Sequence, residues 1–447
     1  MNIIKQTFRE ALKTPGFSLL YIGGVAFTIA FTVIYGTILY GQLGSVYPEY
    51  DRPETYYIKS TTLKNTNYTM NSGIGKPFID EFLRGSMKSV DKVTVVTNYN
   101  PGYPMVQTDG RGSEFHVEQR MTEPSFFDFY KYKFLAGRPF SQDEFDAKER
   151  VAVISDKVAA KLFDSPEKAV GEKISINHSK YRITGVFREG SALNVDSYGE
   201  VFVPYNFTPG TPHSPIENYA GGFSAIVKVK PGKSNLFRQE LNEITRRLNA
   251  IDTTADAPKF IIPDVPSHAE HILSPESGNR NDDDSETYAI SEPKSKFELA
   301  KPFIMGLLVL LIIPALNISG LIGARMDRMQ AEIGVRRCYG ATKSGLMTMV
   351  LTQNLVLTLA GGLLGLLVAW LISFFAGNLL ANFMPLGYSG NSSFGQSASF
   401  VTSEMAFAPA LFLLTLIFCL VLNIISAWIP ARRTLNKQIT TSLNSKR

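Results

Sequence analysis

Four stretches of this 447-residue chain are long and apolar enough to cross a bilayer, and no reading that ignores them can be right. A spanning helix needs roughly 20 predominantly apolar residues. The stretches at 17–41, 302–322, 350–375 and 407–429 meet that requirement. The first follows Lys5, Arg9 and Lys13, as a secretory signal would. Its apolar part exceeds the about 7–15 residues of such a segment, and no small-residue cleavage site follows, so it reads as an uncleaved anchor. Between the first two spans lies a long water-soluble stretch, 42–301. The 30 Phe and 19 Tyr exclude a disordered chain. The two cysteines, Cys338 and Cys419, fall outside the soluble stretch, which excludes a disulfide-stapled domain.

Loop charge orients the spans. Lys5, Arg9 and Lys13 precede the first; Arg325, Arg328, Arg336, Arg337 and Lys343 lie between the second and third; Arg432, Arg433, Lys437, Lys446 and Arg447 follow the fourth. The loop at 376–406 has neither Lys nor Arg. Both termini are therefore expected in the cytoplasm, and residues 42–301 outside it. The net +5 is a topology signal: the outer stretch is net −4 and the cytoplasmic segments net +10, so nothing points to nucleic acid. No span carries Asp, Glu, Lys or Arg in its middle, which argues against an ion relay. Small residues recur at helix-packing spacing: Gly24, Thr28, Thr32 and Gly36 on the first span, Gly361 and Gly365 on the third. Such faces allow close helix approach, within one chain or across a homodimer.

The outer stretch mixes strand and helix signals. Thr55–Ser60, Val90–Asn98, Phe223–Pro231 and Lys259–Val265 read as strands, and Lys76–Met87 and Ser234–Ala250 as helices, the latter with Ser234 as N-cap. Its apolar face is Leu236, Leu241, Ile244 and Leu248. Between these βαβ-like ends, Val151–Ile154, Ile174–Ile176, Tyr181–Phe187 and Glu200–Pro204 read as short strands, with a helix at Asp156–Phe163. The expected fold class is a membrane protein with four transmembrane α-helices and a large extracytoplasmic α+β domain. That domain is a discontinuous, porter-like βαβ-type part with a mostly β insertion.

Two segments carry a family resemblance. MTEPSFFDFYKYKFLAGRPFSQDEF, VAVISDKVAAKLF, AVGEKISI, YRITGVF and VFVPYN, with landmarks Phe126, Phe127, Gly137, Arg138, Phe140, Gly171, Gly185 and Pro204, resemble the periplasmic core domain of MacB-like permeases. Asp164 stands where relatives often have Gly. The stretch ALNISGLIGARMDRMQAEIGVRRCYGATKSGLMTMVLTQNLVL is similar to the FtsX-like permease signature, with Cys338 and Tyr339 replacing a commoner small and apolar pair. The closing WIPARRTLNKQITTSL is similar to the family's ending but lacks a proline, and residues 1–16 are similar to its amphipathic leading helix. The resemblance implies a permease subunit of an ATP-binding-cassette (ABC) transporter in the bacterial inner membrane. It would act by mechanotransmission in efflux or export of periplasmic cargo. Its partners would be a separate ATPase, a second permease copy or paired permease, and a periplasmic adaptor or cargo.

Residues 323–349 and the tail at 430–447 are the expected cytoplasmic contacts. Gly340 can end one helix in the left-handed conformation and Thr342 can cap the next, making a short elbow. Its candidate coupling residues are Glu332, Gly334, Arg336, Arg337, Gly340, Ala341 and Thr342. On the residues alone, the arginines serve either a partner's groove or lipid phosphates; the resemblance favours the groove. No G-x-x-x-x-G-K-[ST] motif is present, so the chain is not expected to hydrolyse ATP, and no cofactor is implied. His268 and His271 form a lone H-x-x-H with no further Cys or His nearby, and are not expected to bind metal. The alternative function is a membrane-anchored receptor or scaffold whose outer domain binds a ligand or partner protein without ATP-driven transport.

Overall fold

In the computed structural model, the first apolar stretch is one unbroken helix, α1 (Pro15–Leu43). The structure describes residues 15–98, 104–108, 111–205, 217–251, 257–273, 297–306 and 330–383, with scattered positions between 290 and 432. The chain divides into two compact units. One comprises Tyr40–Leu299 with Asn378–Thr402, and the other the remaining residues.

The larger unit is built on a mixed sheet. Its strands are β1 (Thr55–Ile58), β2 (Thr61–Lys64), β3 (Thr69–Ile74), β4 (Val90–Thr97), β5 (Met105–Thr108), β6 (Arg111–His116), β7 (Gln119–Thr122), β8 (Phe134–Gly137), β9 (Val151–Ser155), β10 (Lys173–Ile176), β11 (Ser179–Phe187), β12 (Val201–Pro204), β13 (Ala220–Gly221), β14 (Phe223–Val229) and β15 (Lys259–Ile261). Among the described residues twelve of them follow the order β15-β2-β3-β14-β4-β7-β12-β9-β11-β10-β5-β6, and β1, β13 and β8 branch off it by pairing with β14, β3 and β11. β4 and β14 are far apart in sequence yet pair antiparallel along their whole length, from Phe223↔Thr97 to Val229↔Val90. Everything from β5 to β12 is therefore inserted between two neighbouring strands. The inserted part rejoins the host sheet at one register pair, Val96↔Thr122 of β4 and β7.

The insertion is more mixed than the mostly β expectation. It carries α3 (Ser125–Phe129), α4 (Gln142–Asp146), α5 (Asp156–Phe163) and α6 (Pro166–Ala169). β9 runs parallel to β11, and β7 to β12. Parallel neighbours need a crossover connection. α5 and α6 lie on the one that joins β9 to the antiparallel β10–β11 pair. Gly137 and Gly185 face each other in register between β8 and β11. A Cβ on either would come within 2.3 Å of a backbone carbonyl oxygen.

Alternation along the strands feeds separate cores, as a period of two requires. Phe223, Ala225 and Val227 of β14 join Val93 and Val95 of β4 in the host core, which α7 (Ser234–Asn249) covers with Phe237, Leu241 and Leu248. Ile226 and Val96 point the other way, into an aromatic core with Phe126, Phe127, Phe187 and Phe202. Ala152 and Ile154 of β9 enter a third, aliphatic core with Val158, Leu162 and Ile183, while Val151 and Val153 join the aromatic one. Two local expectations change. The cap position of α7 is Lys233, with no side-chain cap bond, so Ser234 is already helical. Phe237, rather than Leu236, is the fully buried anchor of its first turns. The expected helix at 76–87 is short: Lys76–Phe78 (α2) runs into a π-turn at Ile79–Leu83.

The long helix α10 (Lys343–Phe383), in the smaller unit up to Gly377, continues past the expected span end at Phe375. Mean hydropathy over the best windows of α1 and α10 is 2.1 and 2.5, and both are long enough to cross a bilayer. Most of the second and fourth expected spans, the leading helix at 1–14 and the tail lie outside the described residues. α10 packs on α1 through its glycines. A Cβ on Gly361 would meet Val25 Cβ at 2.9 Å, and one on Gly365 would meet Ala26 O at 2.5 Å. Tyr21 and Thr358 share a hydrogen bond of 3.1 Å. On α1, nothing among the described residues lies within 4 Å of a Cβ built on Gly24, while Thr28 and Thr32 are buried. Thr28 and Thr32 turn their hydroxyls onto the carbonyls of Gly24 and Thr28, at 2.8 Å each, a pairing that removes their polarity from an apolar setting. Gly36 is half-buried.

Candidate functional site

The expected elbow is a helix, a reversal and a second helix. α9 (Gln330–Cys338) ends where Gly340 adopts φ +88°, a conformation that glycine enters without steric cost. Gly340 N–H donates to Arg337 O at 3.1 Å and Ala341 N–H to Arg336 O at 3.0 Å. These two bonds form a Schellman motif, which satisfies carbonyls left over at the helix end. Thr342 Oγ1 then accepts from Gly345 N–H at 3.1 Å, capping α10. Beneath the reversal, Ile333 and Leu346 are buried against each other with Met347 and Met349 packed alongside.

The elbow's shape is thus fixed from below and by its backbone. Tyr339 is 89 % exposed and Val335 47 %, and Cys338 is an exposed free thiol. Arg336 and Arg337 are half-buried, with Arg336 Nη1 3.0 Å from Met349 Sδ. Gly334 is buried, and Ala341 and Thr342 are exposed. Glu332 lies on α9, and its side chain is outside the described residues. The predicted set therefore gathers on one short segment, with apolar area and cationic charge side by side. That combination suits a groove on a soluble partner.

A second polar concentration, within the sheet unit, escaped the sequence reading. His268 and His271 sit on α8 (His268–Leu273), but each is committed to side chains of the fold. His271 Nε2 is 3.0 Å from Asp196 Oδ2 and 2.7 Å from Lys59 Nζ, and Lys59 also pairs with Asp196. Burial alone would raise the Asp196 carboxyl, but Lys59 and His271 hold it well below its ordinary range. Lys59 and Asp196 lie on the wall of a cavity of about 380 Å³, with Asn98 and Arg120. His268 Nε2 lies 2.7 Å from Gln42 O. A carbonyl only accepts, so Nε2 carries the proton and Nδ1 accepts from Tyr57 Oη, at 2.8 Å. Burial keeps His268 below the usual imidazole range, hence neutral. Among the described residues no His, Cys, Asp and Glu cluster could hold a metal ion.

Beside His268, Arg52 is 2 % exposed and Glu49 4 %. Arg52 Nε donates to Glu49 Oε2 at 2.7 Å and Nη2 to Asn194 Oδ1 at 2.6 Å. Nη1 donates to Gly41 O at 2.7 Å and also to Gly44 O. Burial pushes the Glu49 carboxyl up; the surrounding charge and hydrogen bonds, those of Arg52 foremost, together outweigh this and leave it below its usual range. The only sequence signal for this cluster is an Arg shortly after a span, which ordinarily marks a solvated flank.

Comparison with known proteins decides the family. The MacB-like periplasmic core domain matches residues 18–244, just over half the chain. This chain belongs to that family. The FtsX-like permease C-terminal domain matches residues 304–439, which include the elbow. Together the two matches identify a MacB/FtsX-like ABC permease, a membrane protein with a large periplasmic mixed-sheet domain. Among relatives, an uncharacterized ABC transporter permease, YknZ of Bacillus subtilis, is 24 % identical over 52 % of this chain and 51 % of its own length. The macrolide export ATP-binding/permease protein MacB of Escherichia coli K12 is 22 % identical over 69 % of this chain and 40 % of its own length. The chain thus spans about half or less of these relatives. The periplasmic region of MacB from Actinobacillus actinomycetemcomitans aligns with 48 % of this chain and 90 % of that structure at 16 % identity, with a TM-score of 0.34. A domain of a putative permease from Porphyromonas gingivalis aligns with 47 % and 88 % at 16 % identity, with a TM-score of 0.35.

Proposed function

We propose that this MacB/FtsX-like chain is the permease subunit of an ABC transporter and that a separate ATPase docks on the α9–α10 elbow. ATP binding and hydrolysis by that partner would move the elbow and the helices behind it. The helices would then act as levers on the periplasmic domain, driving efflux or export of periplasmic cargo without a central pore. The reading places four spans in a bacterial cytoplasmic membrane with both termini inside. It pairs the chain with itself or a second permease, and with a periplasmic adaptor or cargo. The observation that carries the proposal is the elbow. Its backbone is closed by a Schellman motif and its underside is packed, yet Tyr339 and Val335 remain exposed beside the half-buried Arg336 and Arg337. A loop that served only charge bias would need no such construction.

The test is co-purification. The tagged full chain, extracted in mild detergent from its own cells, should bring down a soluble ATPase in stoichiometric amount. Arg336→Glu with Arg337→Glu should remove that ATPase while the chain stays in the membrane fraction. Retention of the ATPase by the double variant rejects the elbow as its docking site. Absence of any ATPase with the unaltered chain rejects the permease reading.

A further inference from the structure

The last turn of α1, Tyr40–Leu43, belongs to the sheet unit rather than to the unit that holds the rest of the helix. A helix end leaves its final carbonyls without intrahelical donors. Here three of the carbonyls at this end are taken by groups that arrive from elsewhere in the sheet unit. Arg52 Nη1 serves Gly41 O and Gly44 O, and His268 Nε2 serves Gln42 O. Tyr40 O accepts from Gly44 N–H at 2.8 Å. A buried cation at this terminus also meets the negative end of the helix dipole.

The cluster reaches three separate parts of the domain. Arg52 leads into β1 of the host sheet. Asn194, from the segment between β11 and β12 of the insertion, accepts from Arg52 and donates Nδ2–H to Tyr47 O at 3.1 Å. His268, on α8, is braced by Tyr57. Tyr47 in turn donates its hydroxyl to Arg188 O at 2.6 Å, just beyond β11. A tether that merely connected a span to a domain would need none of this. A flexible link would be exposed and poor in side-chain bonds.

We propose that Arg52 and His268, with Glu49 and Asn194, form a buried clasp that makes the last turn of α1 an integral part of the periplasmic domain. They are positioning residues: through them, ATP-driven displacement of α1 becomes displacement of the domain. The clasp itself stands on geometry alone; its coupling role rests on the permease reading above. His268 lies outside both stretches matched by the family comparisons.

The test uses the full chain with its co-purified ATPase in nanodiscs. Amide exchange over residues 40–52 and 191–198 should accelerate at least tenfold in His268→Ala and in Asn194→Ala. It should return to within threefold of the unaltered chain in His268→Gln, which keeps a donor near the Nε2 position. Exchange over Phe223–Val229 should stay unchanged in all of them, showing that the sheet is intact. Spin labels at Leu20 and Lys173, with Cys338 and Cys419 replaced by Ser, report the ATP-dependent distance change. That change should fall to less than a third in His268→Ala, with ATP turnover within twofold, and recover in His268→Gln. Unaltered exchange in both alanine variants overturns the clasp. Accelerated exchange with a full ATP-dependent change leaves the clasp standing and overturns its coupling role. If no ATPase accompanies the unaltered chain, the coupling role falls with the permease reading, and the exchange data still decide the clasp.

Discussion

The elbow and the clasp both use arginine at a helix end, and they use it in opposite ways. At the elbow the helix end is closed by its own backbone, and Arg336 and Arg337 stay half-exposed beside it. At the clasp the helix end is closed by Arg52 itself, which is 2 % exposed and has no surface to offer. Exposed charge contributes little to stability and much to recognition. Buried, fully bonded charge contributes geometry, and its removal leaves partners stranded in a low dielectric. On the proposed reading, the same residue type serves a docking surface in one place and a fixed joint in the other, and burial separates the two.

The comparison breaks first at Arg52. Arg52→Gln strands the Glu49 carboxylate and the carbonyls of Gly41 and Gly44. We expect a loss of about 3–5 kcal/mol, read from denaturant unfolding of the full chain in detergent. A loss below about 1 kcal/mol would place Arg52 with the elbow arginines instead. The next test is pH. Glu200 is fully buried beside the Asn194–Tyr198 segment, and burial, assisted by Glu189, raises its carboxyl from 4.5 to about 7. Its Oε2 accepts from Glu118 N–H while Oε1 has no partner, as a protonated carboxyl would tolerate. A carboxyl raised on folding stabilises below its unfolded pKa, and that contribution is lost as pH rises through the folded value. Unfolding free energy should therefore fall by up to about 3 kcal/mol between pH 4.5 and 8, and Glu200→Gln should flatten that part of the profile. An unchanged slope in the variant would assign the dependence elsewhere.

Two smaller effects sharpen the elbow side. Gly340→Ala forces a Cβ into the left-handed region and should cost about 1 kcal/mol of local stability. It should also weaken ATPase association severalfold in pull-down, because the reversal that aims the arginines is distorted. Tyr339→Ala should change unfolding by no more than about 0.5 kcal/mol, since its ring is almost wholly exposed. It should nevertheless reduce ATPase retention. Retention equal to that of the unaltered chain would remove the ring from the docking surface.

Much of the host sheet was legible because its strands alternate. β14 and β4 carry Val, Ile, Ala and Phe at positions that sort cleanly between two cores. β2, β3, β5 and β6 were not legible, because TTLK, TMNSGI, MVQT and RGSEFH scatter a few apolar residues among polar, charged and glycine positions. The elbow was legible because its determinants are local: a Gly where φ turns positive and a Thr three residues before Gly345. The clasp was not, because Asn194, which accepts from Arg52, lies 142 residues after it, and His268 lies 226 residues after Gln42, whose carbonyl it serves. The contact of α1 with α10 was not legible for a related reason. Gly24, Thr28, Thr32 and Gly36 form a tidy line, but the glycines of the facing helix select Val25 and Ala26 instead.

The paired strands β4 and β14 have a consequence for how such a domain can change over evolutionary time. The chain leaves β4 at Thr97 and enters β14 at Phe223, and these two residues are register partners. A lobe whose two ends are already neighbours can be lengthened, shortened or exchanged for that of a relative without re-registering the strands that hold it. One condition travels with the exchange: the incoming lobe must bring a side-chain acceptor to the place of Asn194, or the joint at Arg52 is left open.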